Sequence, residues 1–238
     1  APPPDPCPEP GPGTFAVEPI SANVRRPVEQ GVYLFKQKGE IHVQITGLAD
    51  FKQPVEGMTS RRVFGLQMDG ERSRFTVDQT IGRRRAELSY AVTPGESIGL
   101  SKLVRHQKGG PVTFEPLTPV TVFPLPVAEN MEVTGLGFDP RTQTTMVVQG
   151  RVEKKEEVLG CDEVVHGWLV KGTWTLQSPR ETVRYEMEYV VATQHGGLVV
   201  RDTFRFSETE TDQVPTTYGY DITTGFGSIK PKPDPEAK

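Results

Sequence analysis

The 238-residue chain carries 27 Lys and Arg against 31 Asp and Glu, a net charge of −4. That balance argues against a general nucleic-acid binder, because neutralising phosphates needs a basic excess. A chain of this length buries roughly 70% or more of its unfolded surface, so no structural metal or dense disulfide set is needed, and it contains no apolar run of the ~18 residues that span a membrane.

Residues 1–27 open with "APPPDPCPEPGPG", a Pro-rich stretch without periodicity that reads as an extended tail. Ala1 ahead of it reads as a mature N-terminus left by a cleaved leader, which points to an exported protein. Residues 28–210 carry the strand signals and read as one all-β domain. Residues 211–238 end in "KPKPDPEAK" and read as a polar C-terminal tail.

Within the domain, "VYLFKQKGEIHVQI" reads as a hairpin turning near Lys38 and Gly39, with Ile41, Val43 and Ile45 opposite His42 and Gln44. "ERSRFTVDQTIGRRRAELSYAV" reads as a second hairpin. "SIGLSKLVRHQK" is the best helix candidate, since Leu100, Leu103 and Val104 have helical spacing. "PVTFEPLTPVTVFPLPV" is apolar but holds Pro111, Pro116, Pro119, Pro124 and Pro126, so it belongs at a sheet edge or in a crossing loop. "VVHGWLVKGTWTL" is a strand with Trp168 and Trp174 nominally on one face, where Gly167 and Gly172 suggest a bulge. The clearest hairpin is "VRYEMEYVVA", the turn "TQHGG", then "LVVRDTFRF". With 24 Gly, 22 Pro and little helix signal, the expected fold is a large antiparallel curved sheet, a half-barrel or barrel, enclosing apolar volume.

"GVYLFKQKGEIHVQITG", "VTVFPLPV" and "YVVATQHGGLVVRDTFRF" resemble segments of uncharacterised secreted actinobacterial proteins, which in turn look like curved-sheet envelope proteins of the DUF3108 and LolA/LppX kind. The likeness touches about a third of the chain. It implies a curved sheet and an extracytoplasmic or cell-envelope setting, and maps no functional residue onto this chain.

Five sets of residues are candidates for chemistry. Cys7 and Cys161, the two cysteines, read in an exported protein as one disulfide that would pin the tail; two unpaired thiols are the alternative. The histidines show no metal-ligand spacing, so no metal or cofactor is expected. "GESIG" matches G-x-S-x-G with Ser97 in the nucleophile slot, but Pro94 interrupts the approach and no acid or histidine partner stands out. Arg72, Arg74, Arg83 and Arg85 stand in a locally basic stretch; they read either as an anion-attracting patch or as a solvated, paired hairpin. Trp168, Trp174, Tyr185 and Tyr189 lie on apolar strand faces and line either a core or a pocket for a lipid-like ligand. The reading that follows is a non-catalytic binding module for an apolar or anionic envelope ligand. A hydrolase using Ser97 and a structural or adhesive surface domain are its rivals.

Overall fold

The computed structural model describes residues 20–161, 163–179, 181–210 and 216–235. It holds thirteen strands. The first six are β1 (Gly31–Ile45), β2 (Ala49–Asp69), β3 (Arg72–Ile81), β4 (Arg84–Thr93), β5 (Ser97–Gln107) and β6 (Gly110–Phe114). A short β7 (Val120–Pro124) follows, and then β8 (Glu132–Asp139), β9 (Thr144–Leu159), β10 (Val164–Gln177), β11 (Thr182–Ala192), β12 (Leu198–Glu210) and β13 (Thr216–Lys232). One turn of 3-10 helix, Thr193–His195, is the helical content among the described residues. All pairings are antiparallel, in the order β6-β5-β4-β3-β2-β1-β13-β12-β11-β10-β9-β8, with β7 paired to β5 off that path.

The expected large curved antiparallel sheet is therefore what the chain forms. It is not closed by a ladder. Instead β7 lies between the two edges: it hydrogen-bonds to β5, and glycines of β8 let it pack against the other side. A Cβ on Gly135 would overlap the Thr121 carbonyl, and one on Gly137 would overlap Val120. The prolines of this stretch restrict it to short strands at an edge and a crossing, as their missing donors require.

Four sequence expectations are corrected. β1 runs straight through Lys38 and Gly39 instead of turning, with Gly39 opposite Ile222. Glycine is needed there because a Cβ would overlap the Asp221 carbonyl oxygen. "SIGLSKLVRHQ" is strand β5, because pairing with β4 on one side and β6 and β7 on the other supplies backbone partners that a two-turn helix would lack. The C-terminal region is no tail through residue 232: β13 sits mid-sheet, with Tyr220, Ile222, Phe226 and Ile229 buried. The domain also begins before residue 28. Val24 is buried, and the segment around it closes one end of the curved sheet. There the Ser21 carbonyl accepts from Trp168 Nε1 (3.0 Å) and Thr193 Oγ1 (2.6 Å), and the Ala22 carbonyl accepts from the Val127 N–H (2.7 Å).

At the sheet's β8 edge, Asp139 shapes the turn into β9. It is fully buried and accepts hydrogen bonds from the backbone N–H groups of Glu115 and Arg141, each at 2.9 Å. Burial alone would push its carboxyl up, but those donors outweigh it and hold its pKa below the ordinary value. A lowered folded-state pKa gives stability that is present above the unfolded pKa and lost as pH falls through the folded one. Asp139→Asn should therefore cost about 1–3 kcal/mol near neutral pH. The gap to wild type should shrink below about pH 4. Urea titrations at both pH values read this, and a gap that persists in acid would show that the charge is not what matters.

Candidate functional site

The sheet curls so that β3, β4, β5 and β7 face β10, β11 and β12 across an apolar interior. Two neighbouring cavities remain there. The inner one, about 40 Å³, lies among Phe75, Ile98, Phe123, Met187 and Leu198. The outer one, about 70 Å³, lies among Ile81, Leu103, Tyr185 and Phe206. Gln79, Leu88, Trp174 and Phe204 line both, so the two lie in line along one narrow apolar passage with these four side chains between them. The period-two alternation of β3, β11 and β12 produces this lining by sending every second side chain inward.

Aromatic rings hold the passage in shape. Trp174 meets Tyr189 edge-on at 6.1 Å between centroids, and the Tyr189 hydroxyl donates to the Val122 carbonyl at 2.5 Å, tying β11 to β7. Burial pushes the Tyr189 pKa up, so the hydroxyl remains a donor at physiological pH. Tyr185 packs on Phe206 at 5.0 Å, and Phe206 stacks on Tyr220 at 4.4 Å.

The outer cavity opens at a charged rim of Arg84, Arg85, Arg105, His106 and Glu208. Each of these arginines, and the His106 ring, has a carboxylate beside it. Arg84 pairs with Glu208, which also accepts from the Tyr220 hydroxyl (2.8 Å), and Arg105 pairs with Glu181. Arg85 forks onto Asp78 at 2.9 and 2.8 Å, and His106 Nε2 lies 3.0 Å from Glu87.

At the inner end one ion pair interrupts the apolar wall. Arg61 Nη2 stands 2.6 Å from Asp202 Oδ2, with each side chain 3% exposed. The Arg61 guanidinium lies 4.3 Å from the centroid of the Phe35 ring. Burial pushes the Asp202 pKa up, although Arg61 and Thr224 act the other way.

The structure gathers some of the sequence candidates and separates others. Trp174, Tyr185 and Tyr189 meet in the passage. Trp168 does not. It is buried at the closed end, with the Lys155 ammonium 5.3 Å from its ring centroid. Arg72, Arg74, Arg83 and Arg85 are divided between the two ends of the β3–β4 hairpin. On the β3–β4 hairpin Arg74 stands opposite Ala91, while Arg85 stands opposite Thr80 at the other end. Arg83, in the turn, lies 5.8 Å from the Tyr218 ring centroid. Ser97 opens β5 opposite Thr93 and Pro124, so its setting is strand-turn-strand and lacks the helix of a nucleophile elbow. Cys161 lies between β9 and β10, its N–H on the Gly227 carbonyl at 2.8 Å, while Cys7 is outside the described residues. Among the described residues no group of three His, Cys, Asp or Glu is placed to hold a metal, and no helix is long and apolar enough to cross a membrane.

Sequence reasoning missed Arg61, Asp202, Arg84 and Arg105. For Asp202 a signal existed: in "LVVRDTFRF" it has the inward parity of Val200 and Phe204, and a carboxylate at an inward position needs a partner.

No protein-family model and no curated protein matches the chain. Among solved structures, a "putative lipoprotein" from Parabacteroides distasonis ATCC 8503 aligns over 87% of this chain and 98% of its own, at 11% identity and a TM-score of 0.40. A "putative exported protein with YmcC-like fold" from Bacteroides fragilis NCTC 9343 aligns over 87% and 99%, at 11% identity and a TM-score of 0.38. Both scores lie below 0.5, too low for either likeness to carry fold or function to this chain.

Proposed function

We propose that the protein is a non-catalytic, extracytoplasmic binding module that holds the alkyl chain of an acidic amphiphile in the curved sheet, with the acidic head at the arginine rim. The observation that carries this reading is the passage itself: an apolar, aromatic-lined interior that opens at Arg84, Arg85 and Arg105. Its narrowness favours a single slender chain over a fused-ring or multi-acyl ligand, because widening it would separate close-packed walls. Arginine at the rim suits a carboxylate or phosphate head, since its planar fork donates two parallel hydrogen bonds. The even cysteine count and the resemblance to secreted envelope proteins support the extracytoplasmic setting.

Calorimetric titration with dodecanoate tests the reading. Binding should be lost in Leu88→Trp, which fills the neck shared by both cavities. It should weaken in Arg84→Gln/Arg105→Gln, where binding of dodecanol should not. No uptake by the wild-type protein, or equal uptake by Leu88→Trp, would reject the passage as the site.

A further inference from the structure

The hairpin that joins β1 to β2 extends past the mouth of the passage. β2 pairs with β3 only from Arg61 onward, so from Ala49 to Ser60 it pairs with β1 alone among the described residues. The two faces of this arm differ. On the outer face His42 pairs with Asp50 and Lys52 with Glu40, all four exposed to water. On the inner face stand Ile41, Val43 and Ile45 of β1 with Phe51 of β2, and Leu48 sits in the turn between the strands. Leu48 is 74% exposed and Phe51 48%.

These side chains are in line with the mouth. Glu208 of the rim pairs with Tyr218, Tyr218 with Val43, and Val43 with Phe51, in one row across β12, β13, β1 and β2. Three strand spacings put Phe51 about 14 Å from the rim. In the neighbouring row Phe206, which lines the outer cavity, pairs with Tyr220, and Tyr220 with Ile41. Apolar side chains therefore run from the cavity wall to the exposed hairpin. The β3–β4 turn lies over the middle of this strip. A Cβ on Gly82 would meet Ile41 and Ile222, and Arg83 stands 5.8 Å from the Tyr218 ring centroid. Arg83 is exposed and takes part in no ion pair among the described residues, unlike Arg84, Arg85 and Arg105.

Building on the passage as an alkyl-chain site, we propose that this arm docks the protein on an anionic lipid bilayer, from which the passage takes its ligand. Leu48 and Phe51 enter the edge of the acyl region, Arg83 meets lipid phosphates at headgroup level, and the mouth faces the membrane surface. The observations favour a bilayer over a protein partner. A specific protein interface takes about 800 Å² from each side, and two exposed apolar side chains at the end of a two-stranded arm are too few to form its core. A bilayer needs only a few apolar side chains with a cation beside them, and holds them reversibly. The open edge of β2 sets the depth: its backbone groups would be left without partners in hydrocarbon, so only the tip enters.

Vesicle flotation tests the arm, and titration with dodecanoate in solution tests the passage separately. Wild-type protein should float with vesicles of equal parts phosphatidylcholine and phosphatidylglycerol, and less so as salt is raised. Leu48→Gln/Phe51→Gln should weaken that partition about tenfold or more, and Arg83→Gln about fivefold. Leu48 and Phe51 are exposed, so their replacement should leave the melting temperature and dodecanoate affinity as in wild type. No flotation of the wild-type protein, or equal flotation of Leu48→Gln/Phe51→Gln, would overturn the docking and leave the passage standing. A dimer seen by sedimentation in the wild type and lost in that variant would also overturn it, and would assign the arm to a second copy of the chain. Unchanged flotation of Arg83→Gln would overturn its headgroup contact. Flotation without dodecanoate uptake would reject the passage and its lipid source, and leave the arm as a membrane contact alone.

Discussion

Arg61→Met alone and Asp202→Leu alone should each remove about 3–5 kcal/mol of stability, while the two together should remove little or none. Either single change strands a charge that is 3% exposed, in a wall otherwise built of Phe75, Val77 and Leu198. With total stabilities of roughly 5–15 kcal/mol for a domain, a loss of that size is a large share. The two single variants should differ in their response to acid. Without Arg61, nothing cationic opposes the burial that already pushes Asp202 up. A carboxyl whose folded pKa is raised gives stability that is present below the unfolded pKa and lost as pH rises through the folded one. Arg61→Met should therefore recover as the pH falls. Asp202→Leu should not, because guanidinium does not shed its proton. Urea unfolding at neutral and acid pH reads all three variants. A double variant as unstable as the sum of the singles would show that the site cannot be made apolar.

The second large effect concerns the segment that closes the other end of the sheet. Val24→Asp/Val28→Asp should unseat residues 20–28 and lower the melting temperature by more than about 10 °C. Both valines are buried, and an unpaired carboxylate there costs several kcal/mol before it neutralises; one kcal/mol is about 2–4 °C for a chain this size. The tryptophans report where the damage falls. Trp168 donates to the Ser21 carbonyl and Trp174 lines the cavities. Emission in Trp174→Phe, where Trp168 remains, should shift to the red when the segment is unseated, and emission in Trp168→Phe should move much less. Equal shifts in both backgrounds would mean that the whole sheet loosens.

Legibility from sequence followed the range of the interaction. The β3–β4 and β11–β12 hairpins were readable because alternation and a Gly-containing turn are local signals. β13 was not, although Tyr218, Tyr220, Ile222, Thr224 and Phe226 do alternate. Threonines and glycines dilute the pattern, and the polar ending that follows disguises it. Gly39 looked like a turn because a glycine required by the close approach of a neighbouring strand gives the same local signal. In the site, the aromatic lining was readable from parity. The ion pair was not, because no neighbour of Arg61 in the chain marks it as inward and paired, and its partner lies ten strands further along the chain. Register between distant strands decided that contact, and no short window of sequence holds it.

The strand order sets when this sheet can be finished. β1 to β6 and β8 to β13 are two meanders in which each strand pairs with its neighbour in the chain, so each can zip locally as it is made. The seam between them is different in kind: Val32 pairs with Lys232, 200 residues later (232 minus 32). During synthesis the free edge of β1 therefore stays without its native partner until β13 has emerged. The long wait of an open strand edge is the interval in which such chains are captured by chaperones or by one another.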